Sequence, residues 1–113
     1  MIEAIVIKYL KKRLPGESIT AEVPRGVPER FITVERTGSR QLNTGLFEST
    51  VAIQSWELSK YKAAELSALV CDLMREIADY EPSVTKSRGS DYDFTDTETK
   101  RYRYQAVFTL THY

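Results

Sequence analysis

The residue types that most often carry out catalysis are scarce in this sequence. Its 113 residues include one histidine, His112, and one cysteine, Cys71. His112 has no nucleophile near it in the pattern, so we expect a surface residue and not a general base. Cys71 falls among small residues on a predicted helix with no basic neighbour, which predicts a packed, unreactive thiol. One Cys and one His also cannot build a structural zinc site or an internal disulfide.

An acidic run is the candidate for a metal site. It contains Asp91, Asp93, Asp96 and Glu98. A calcium-binding loop that began at Asp91 would need glycine at its sixth position and glutamate at its twelfth, where this chain has Asp96 and Tyr102. The run therefore predicts a solvated acidic loop. The five glycines are isolated and none opens a helix, so no phosphate-binding loop is expected either. We predict no catalytic, metal or cofactor-binding residue and no enzymatic activity.

Composition restricts the remaining classes. The chain has 16 basic and 16 acidic residues, and this balance argues against a general nucleic-acid binder. The aromatic residues near its end lack the interleaved glycines of an RNA-recognition module, which favours core packing. No stretch approaches the roughly 18 apolar residues of a membrane span, and no signal peptide is evident. With 42% hydrophobic and 28% charged residues, residues 1–113 are expected to form one globular domain of a reducing compartment.

The charges are unevenly distributed along the chain. Residues 1–40 contain eight basic and five acidic residues, whereas residues 41–100 contain six basic and eleven acidic ones. One interpretation is an ordinary mixed surface. The other is a molecule with a basic end and an acidic end, suited to docking against its own copies.

Two helices are predicted. The first has an apolar stripe at three- and four-residue spacing and ends at Pro15-Gly16. Its stripe consists of Ile2, Ile5, Val6, Tyr9 and Leu10. The second runs over residues 60–79, with Ser59 as its N-cap and Pro82 after its end. Its stripe consists of Ala63, Leu66, Val70, Leu73 and Ile77, flanked by Leu69 and Met74.

Four strands and a possible fifth complete the pattern. Residues 18–23 and 31–36 are expected to pair as a hairpin, and residues 102–111 alternate clearly. Residues 50–56 carry apolar groups on both faces, which predicts a central or partner-covered strand. Residues 83–86 could form a short edge strand. Residues 37–48 and 87–100 are predicted to be long, mobile loops that partners would order. The expected fold is α+β, a mostly antiparallel sheet of four to five strands with two helices packed on one face.

Several segments in this order resemble one protein family. They are the opening helix, the proline-bounded hairpin from Val23-Pro24 to Phe31-Ile32-Thr33-Val34, the glycine-containing loop at Gly38, Val51-Ala52-Ile53-Gln54-Ser55-Trp56 leading into Ala63-Ala64-Glu65-Leu66, and Arg101-Tyr102 before the last strand. The most characteristic is the Val-x-Ile-Gln-x-Trp strand. The chain resembles the tail terminators, also called tail-completion or tail-to-head joining proteins, of long-tailed bacteriophages. The acidic segment 90–98 is less typical of them.

The resemblance implies a virion protein and not an enzyme. It implies a ring, usually a hexamer, that caps the tail tube, stops tube polymerisation and presents a surface to head-completion or connector proteins. Such a protein resides at the head-proximal end of the tail, and in the host cytoplasm before assembly. We expect Arg36, Arg40 and Trp56 at the interface, the two arginines because they flank Gly38 near the two-faced strand. The alternatives are a head–tail connector or minor capsid protein and, further off, a small nucleic-acid-binding module.

Overall fold

Five strands form one mixed sheet, and the helices cover one of its faces. The computed structural model describes residues 1–96, 98 and 101–113. The elements are α1 (Ile2–Arg13), β1 (Ile19–Thr20), β2 (Phe31–Asn43), β3 (Leu46–Glu57), α2 (Lys60–Arg75), α3 (Ile77–Tyr80), β4 (Val84–Asp93) and β5 (Tyr102–His112). The strand order is β1-β2-β3-β5-β4, with only the β1–β2 pair parallel. The predicted α+β class, with a mostly antiparallel sheet and two long helices, is confirmed.

Helix α1 follows its predicted stripe except at Ile5, which is only partly buried. Ile2, Val6, Tyr9 and Leu10 are buried and pack over β1 and β2. The helix ends just before Pro15-Gly16, where Gly16 adopts a positive φ of 92° that favours glycine. The hydroxyl of Tyr9 donates a hydrogen bond to the Leu73 carbonyl at 2.6 Å, which ties α1 to the second helix.

Helix α2 begins as predicted but is rotated relative to the predicted stripe. The Ser59 hydroxyl accepts a hydrogen bond from the Lys62 amide at 3.2 Å, as expected of an N-cap. Leu73 is only partly buried, whereas Met74 is fully buried. The small residues Ser67 and Cys71 face the sheet, and they turn the helix toward Met74. The predicted single helix is also divided, because α2 ends at Arg75 and α3 begins at Ile77.

The predicted first hairpin is wrong. The strand expected over residues 18–23 is reduced to Ile19–Thr20, and Ala21 and Val23 are exposed. Ile19 pairs with Ile32 in parallel. The proline-containing segment between β1 and β2 therefore returns the chain to the end of the sheet at which β1 began. A turn with two prolines supplies too few backbone N–H groups to continue an antiparallel ladder.

The two predicted loops are also largely wrong. Strands β2 and β3 continue through residues 37–48 to a two-residue turn at Thr44-Gly45, where Gly45 has a φ of +81°. Residues 87–93 belong to β4 and pair with β5. These parts are therefore ordered by the chain's own sheet and need no partner. Of the segment 87–100, Thr97, Thr99 and Lys100 lie outside the described residues.

Strand β3 is central, as predicted. Val51 and Ile53 are fully buried under the helices, and Ala52 and Trp56 are buried on the opposite face. The core on the helix side also includes Phe108 and Leu110 of β5. The two faces of β3 therefore have different roles. One face contributes to the core, and the other contributes to a surface that no described helix covers.

Candidate interaction surfaces

We call the face of the sheet opposite the helices the open face. Strand alternation and cross-strand register place one set of side chains on it. The set comprises Phe31, Thr33 and Glu35 of β2, Thr50, Ala52, Gln54 and Trp56 of β3, Arg103, Gln105, Val107 and Thr109 of β5, and Arg88, Ser90 and Tyr92 of β4. Its middle consists of small or uncharged residues, of which Thr33 and Ala52 are buried.

One end of the open face carries a row of aromatic side chains with an arginine between two of them. The Phe31 and Trp56 rings stack at 5.1 Å between centroids. The Arg103 guanidinium lies between two rings, 4.7 Å from the Trp56 centroid and 4.6 Å from that of Phe94. Its Nε also donates to the Phe94 carbonyl at 2.7 Å. These cation–π and stacking contacts fix the row across three strands.

Trp56, predicted at the interface, lies within this row and is only 8% exposed. Its indole N–H finds no acceptor among the described residues. The neighbouring row of side chains is joined by hydrogen bonds. The Gln54 amide nitrogen donates to the Gln105 side-chain oxygen at 2.8 Å, and the Gln105 amide nitrogen donates to the Tyr92 hydroxyl. Trp56 therefore packs the open face and presents little surface itself.

A long hairpin projects from the part of the sheet that the helices cover. We call residues 35–48 the β2–β3 arm. All residues from 35 to 45 are exposed. Because β1 pairs only with Ile32 and Thr33, no described strand lies beside the outer edge of the arm. An unpaired edge of this length is a template for pairing with another chain.

Arg36 and Arg40 both lie on the arm, but their charges are already partnered. Arg36 is 3.8 Å from the Glu3 carboxylate, and Arg40 is 3.0 Å from that of Glu48. Trp56 lies five residues along β3 from Val51, the pairing partner of Arg36, which is roughly 17 Å. The structure thus places the two arginines on one arm and Trp56 at a distant position on the sheet.

His112 is buried, so the expectation of a surface histidine is wrong. Its Nε2 lies 2.7 Å from Ser49 Oγ, and its Nδ1 lies 3.1 Å from the Tyr113 carbonyl oxygen. With the proton on Nδ1, His112 donates to that carbonyl and accepts from the Ser49 hydroxyl. Ser39 Oγ completes the network, 3.0 Å from Ser49 Oγ.

This serine–histidine pair has the spacing of a nucleophile and its base. Ser49 is only 1% exposed, however, so a substrate carbonyl has no access to its hydroxyl. The arrangement therefore serves as a buried link between β2, β3 and β5. Sequence reasoning missed it because Ser49 and His112 are 63 residues apart. The alternation of Phe108 and Leu110 with polar residues was the available signal, since it places His112 on the core face.

Two buried titratable groups lie outside these surfaces. Cys71 is packed, as predicted; burial, aided by the negative charge of Asp91, raises the pKa of its thiol to about 11. Burial also acts to raise the pKa of Glu57, but the Leu58 amide and the Arg30 guanidinium outweigh it and lower that pKa below its ordinary value. Arg30 bridges Glu57 at 3.1 Å and Glu17 at 2.6 Å, so it ties the end of β3 to the segment before β1.

The acidic run is engaged with neighbouring groups. Asp93 pairs with Lys60 at 3.1 Å. The Thr95 hydroxyl and the Lys60 ammonium lower the pKa of Asp93. Within the described part of the chain, no cluster of three or more His, Cys, Asp or Glu residues could hold a metal ion. None of the described helices is long and apolar enough to cross a membrane.

No protein-family model matches this chain, and no curated protein sequence matches it. Its function therefore has to be inferred from these surfaces and from the resemblance described above.

Proposed function

We propose that this protein is a structural component of a phage virion that forms a ring on the end of the tail tube. The ring ends tube polymerisation and offers the surface to which the head is joined. The observation that carries the proposal is the β2–β3 arm, a hydrogen-bonded hairpin whose residues 35–45 are all exposed. The resemblance to tail terminators supports the same assignment.

The arm suits a subunit that must reach its neighbours. Its nine β2 residues from Glu35 to Asn43 span roughly 26 Å, more than half of the 44 Å long axis of the molecule. The arm contributes no buried side chain to the chain's own core, and some of its side chains pair with each other, as Arg40 does with Glu48. Such an edge risks uncontrolled association unless a specific partner uses it. A closed ring gives every arm the same partner and leaves none free.

The sealed Ser49–His112 pair also supports a structural role. A nucleophile that is 1% exposed has no room for a substrate carbonyl beside it. The hydrogen bonds of the pair hold the base of the arm to β5, where rigidity benefits an assembly protein.

Deletion of the gene from the phage or prophage that carries it tests the proposal. Electron microscopy of lysates should show overlong tails without heads, and a plasmid copy of the gene should restore normal virions. Tails of normal length beside unjoined heads would instead indicate a head–tail connector. Unchanged virion yield would overturn the proposal. Gene order offers an independent check, since a terminator gene is expected beside the major tail protein gene and a connector gene beside the portal gene.

A variant without the arm provides a matched control. Joining β2 to β3 by a short turn after Ser39 and before Ser49 removes most of the arm, residues 40–48, none of which is buried, and leaves the buried Ser49–His112 pair intact. This variant should fold, as shown by an unchanged near-ultraviolet signal from Trp56, and should fail to complement the deletion. Full complementation by the variant would show that the arm has no part in the function.

A further inference from the structure

Helix α1 presents a basic surface that the core does not use. Ala4, Ile7, Lys8, Lys11 and Lys12 line a shallow depression of about 520 Å³ on its outer side. The three lysines are exposed, and none forms an ion pair with a described residue. Ile7, which is partly buried and also packs against the core, adds an apolar floor between them. We call these five residues the basic strip.

Helices α2 and α3 present a surface of opposite charge. Residues 65–81 contain five acidic residues and one basic residue, Arg75. Exposed members on the outer side of the helices are Glu65, Asp72, Glu76 and Asp79, and Leu69 lies among them, 46% exposed. We call these five residues the acidic strip.

The charges of the acidic strip are mostly not used within the chain. Glu65 and Asp79 form no ion pair with a described residue. Asp72 pairs with Arg75 at 3.3 Å and Glu76 with Arg13 at 3.6 Å. Both pairs are solvent-exposed, and exposed pairs of this kind contribute little. The strip therefore remains available to a basic partner.

We infer that the basic strip of one copy binds the acidic strip of the next copy. The inference rests on the proposed ring and names the surface that closes it. Ile7 would pack against Leu69, with the lysines of α1 flanked by the carboxylates of α2 and α3. Such a contact is heterologous, because each copy uses one surface on one side and a different surface on the other.

A second copy fits better than other occupants for two reasons. The same chain supplies both halves, and their charges are opposite. The basic strip, residues 4–12 of α1, is roughly 12 Å long, and the part of the acidic strip on α2, residues 65–72, is roughly 10 Å long.

Charge reversal with restoration tests the contact. The first variant carries Lys8→Glu and Lys11→Glu, and the second carries Glu65→Lys and Asp72→Lys. Sedimentation velocity at low salt should show the wild type as an assembly of about 78 kDa, six times the 13.0 kDa subunit. Each variant should shift to the monomer, with association weakened at least tenfold. Combining all four changes in one chain should restore assembly, because the two strips are again complementary.

Controls separate this contact from general charge effects. Arg25→Glu with Lys86→Glu changes the same net charge at exposed positions outside both strips and should leave the mass unchanged. Unaltered circular dichroism spectra should show that every variant is folded. High salt should also dissociate the wild type, because screening shortens to about 3 Å at 1 M ionic strength.

The outcomes distinguish the contact from the ring. A six-fold assembly that ignores both reversals would keep the ring and overturn this contact. A two-fold dimer that follows the reversals and their combination would keep the contact and reject the ring. A wild-type chain that stays monomeric at the highest attainable concentration and low salt would overturn the contact. A second result would also overturn the contact. If the Lys8→Glu, Lys11→Glu variant lost binding to a random-sequence DNA duplex but kept the mass of the wild-type assembly, the basic strip would be a nucleic-acid site.

Discussion

Replacement of Gly89 by alanine should destabilise the fold through one atom. Gly89 lies in β4 directly opposite Phe108 of β5, whose ring is fully buried in the core. A Cβ built on Gly89 would lie 2.1 Å from the Val107 carbonyl oxygen and 2.8 Å from both Cα and Cγ of Phe108. Two of these three atoms are backbone. Strand β4 must therefore move away from β5, because a displaced Phe108 ring would relieve only the contact with Cγ.

The expected size of the effect follows from two opposing contributions. Forcing an extra carbon into a packed core costs about 1–3 kcal/mol, and more where the backbone has to shift. Alanine recovers about 0.5–1 kcal/mol relative to glycine within a strand. We expect Gly89→Ala to lower the free energy of unfolding by about 2 kcal/mol, or to lower the melting temperature by roughly 8 °C for a chain of this size.

Gly38→Ala is the matched control. Gly38 also lies in a strand, β2, but a Cβ there would meet no atom within 4 Å. This change should be neutral or slightly stabilising. Urea unfolding followed by the fluorescence of Trp56, the single tryptophan, gives both values at one protein concentration. If Gly89→Ala unfolds within about 0.5 kcal/mol of Gly38→Ala, the close approach of β4 to the Phe108 ring is incorrect.

Three further predictions concern the core and its buried acids. Leu66→Ala should cost about 2–5 kcal/mol in urea unfolding because Leu66 is fully buried, whereas Leu69→Ala should cost under about 0.5 kcal/mol; equal costs would refute the rotation of α2. Because the folded state lowers the pKa of Glu57, its contribution to stability is present above the unfolded pKa and is lost as the pH falls through the folded one. Glu57→Gln should therefore reduce stability at neutral pH and flatten its decline in acid, and a stability profile that is parallel to the wild type would contradict the Arg30–Glu57 pairing. Cys71, with a thiol pKa of about 11, should resist a disulfide reagent at pH 8 in the native protein and react fully in urea; rapid native labelling would show that the thiol is accessible.

The sequence was sufficient for the elements whose apolar residues face the chain's own core. The stripe of α1 and the two-faced pattern of β3 both place their buried residues where the structure has them. The rotation of α2 was not predictable in the same way. A hydrophobic pattern gives the widest apolar stripe, which includes Leu69 and Leu73, but the helix turns its small residues Ser67 and Cys71 to the sheet. Close approach over small residues is a property of the packed pair of elements and not of the helix alone.

The pairing of the first two strands failed for a related reason. Two strands separated by a short turn are normally antiparallel neighbours. Here only Ile19 and Thr20 pair with β2, and they do so in parallel. Arg101 donates from its Nη2 to the Pro28 carbonyl at 2.8 Å, so the proline-containing turn is held by the start of β5. A contact between residues 73 positions apart has no local signature.

The β2–β3 arm is the clearest case of structure without a pattern. Strands are recognised in sequence by one buried face, and residues 35–45 have no buried residue on either face. Their register is held by backbone pairing and by exposed cross-strand contacts such as Arg40 with Glu48. The local cue is Thr44-Gly45 at the turn, which is typical of hairpins only when alternating apolar residues flank it. A segment that is buried against a partner and not against its own core has the composition of a loop when the chain is considered alone. The same property that concealed the arm from sequence reasoning is thus the reason to regard it as a contact surface in the ring that we propose.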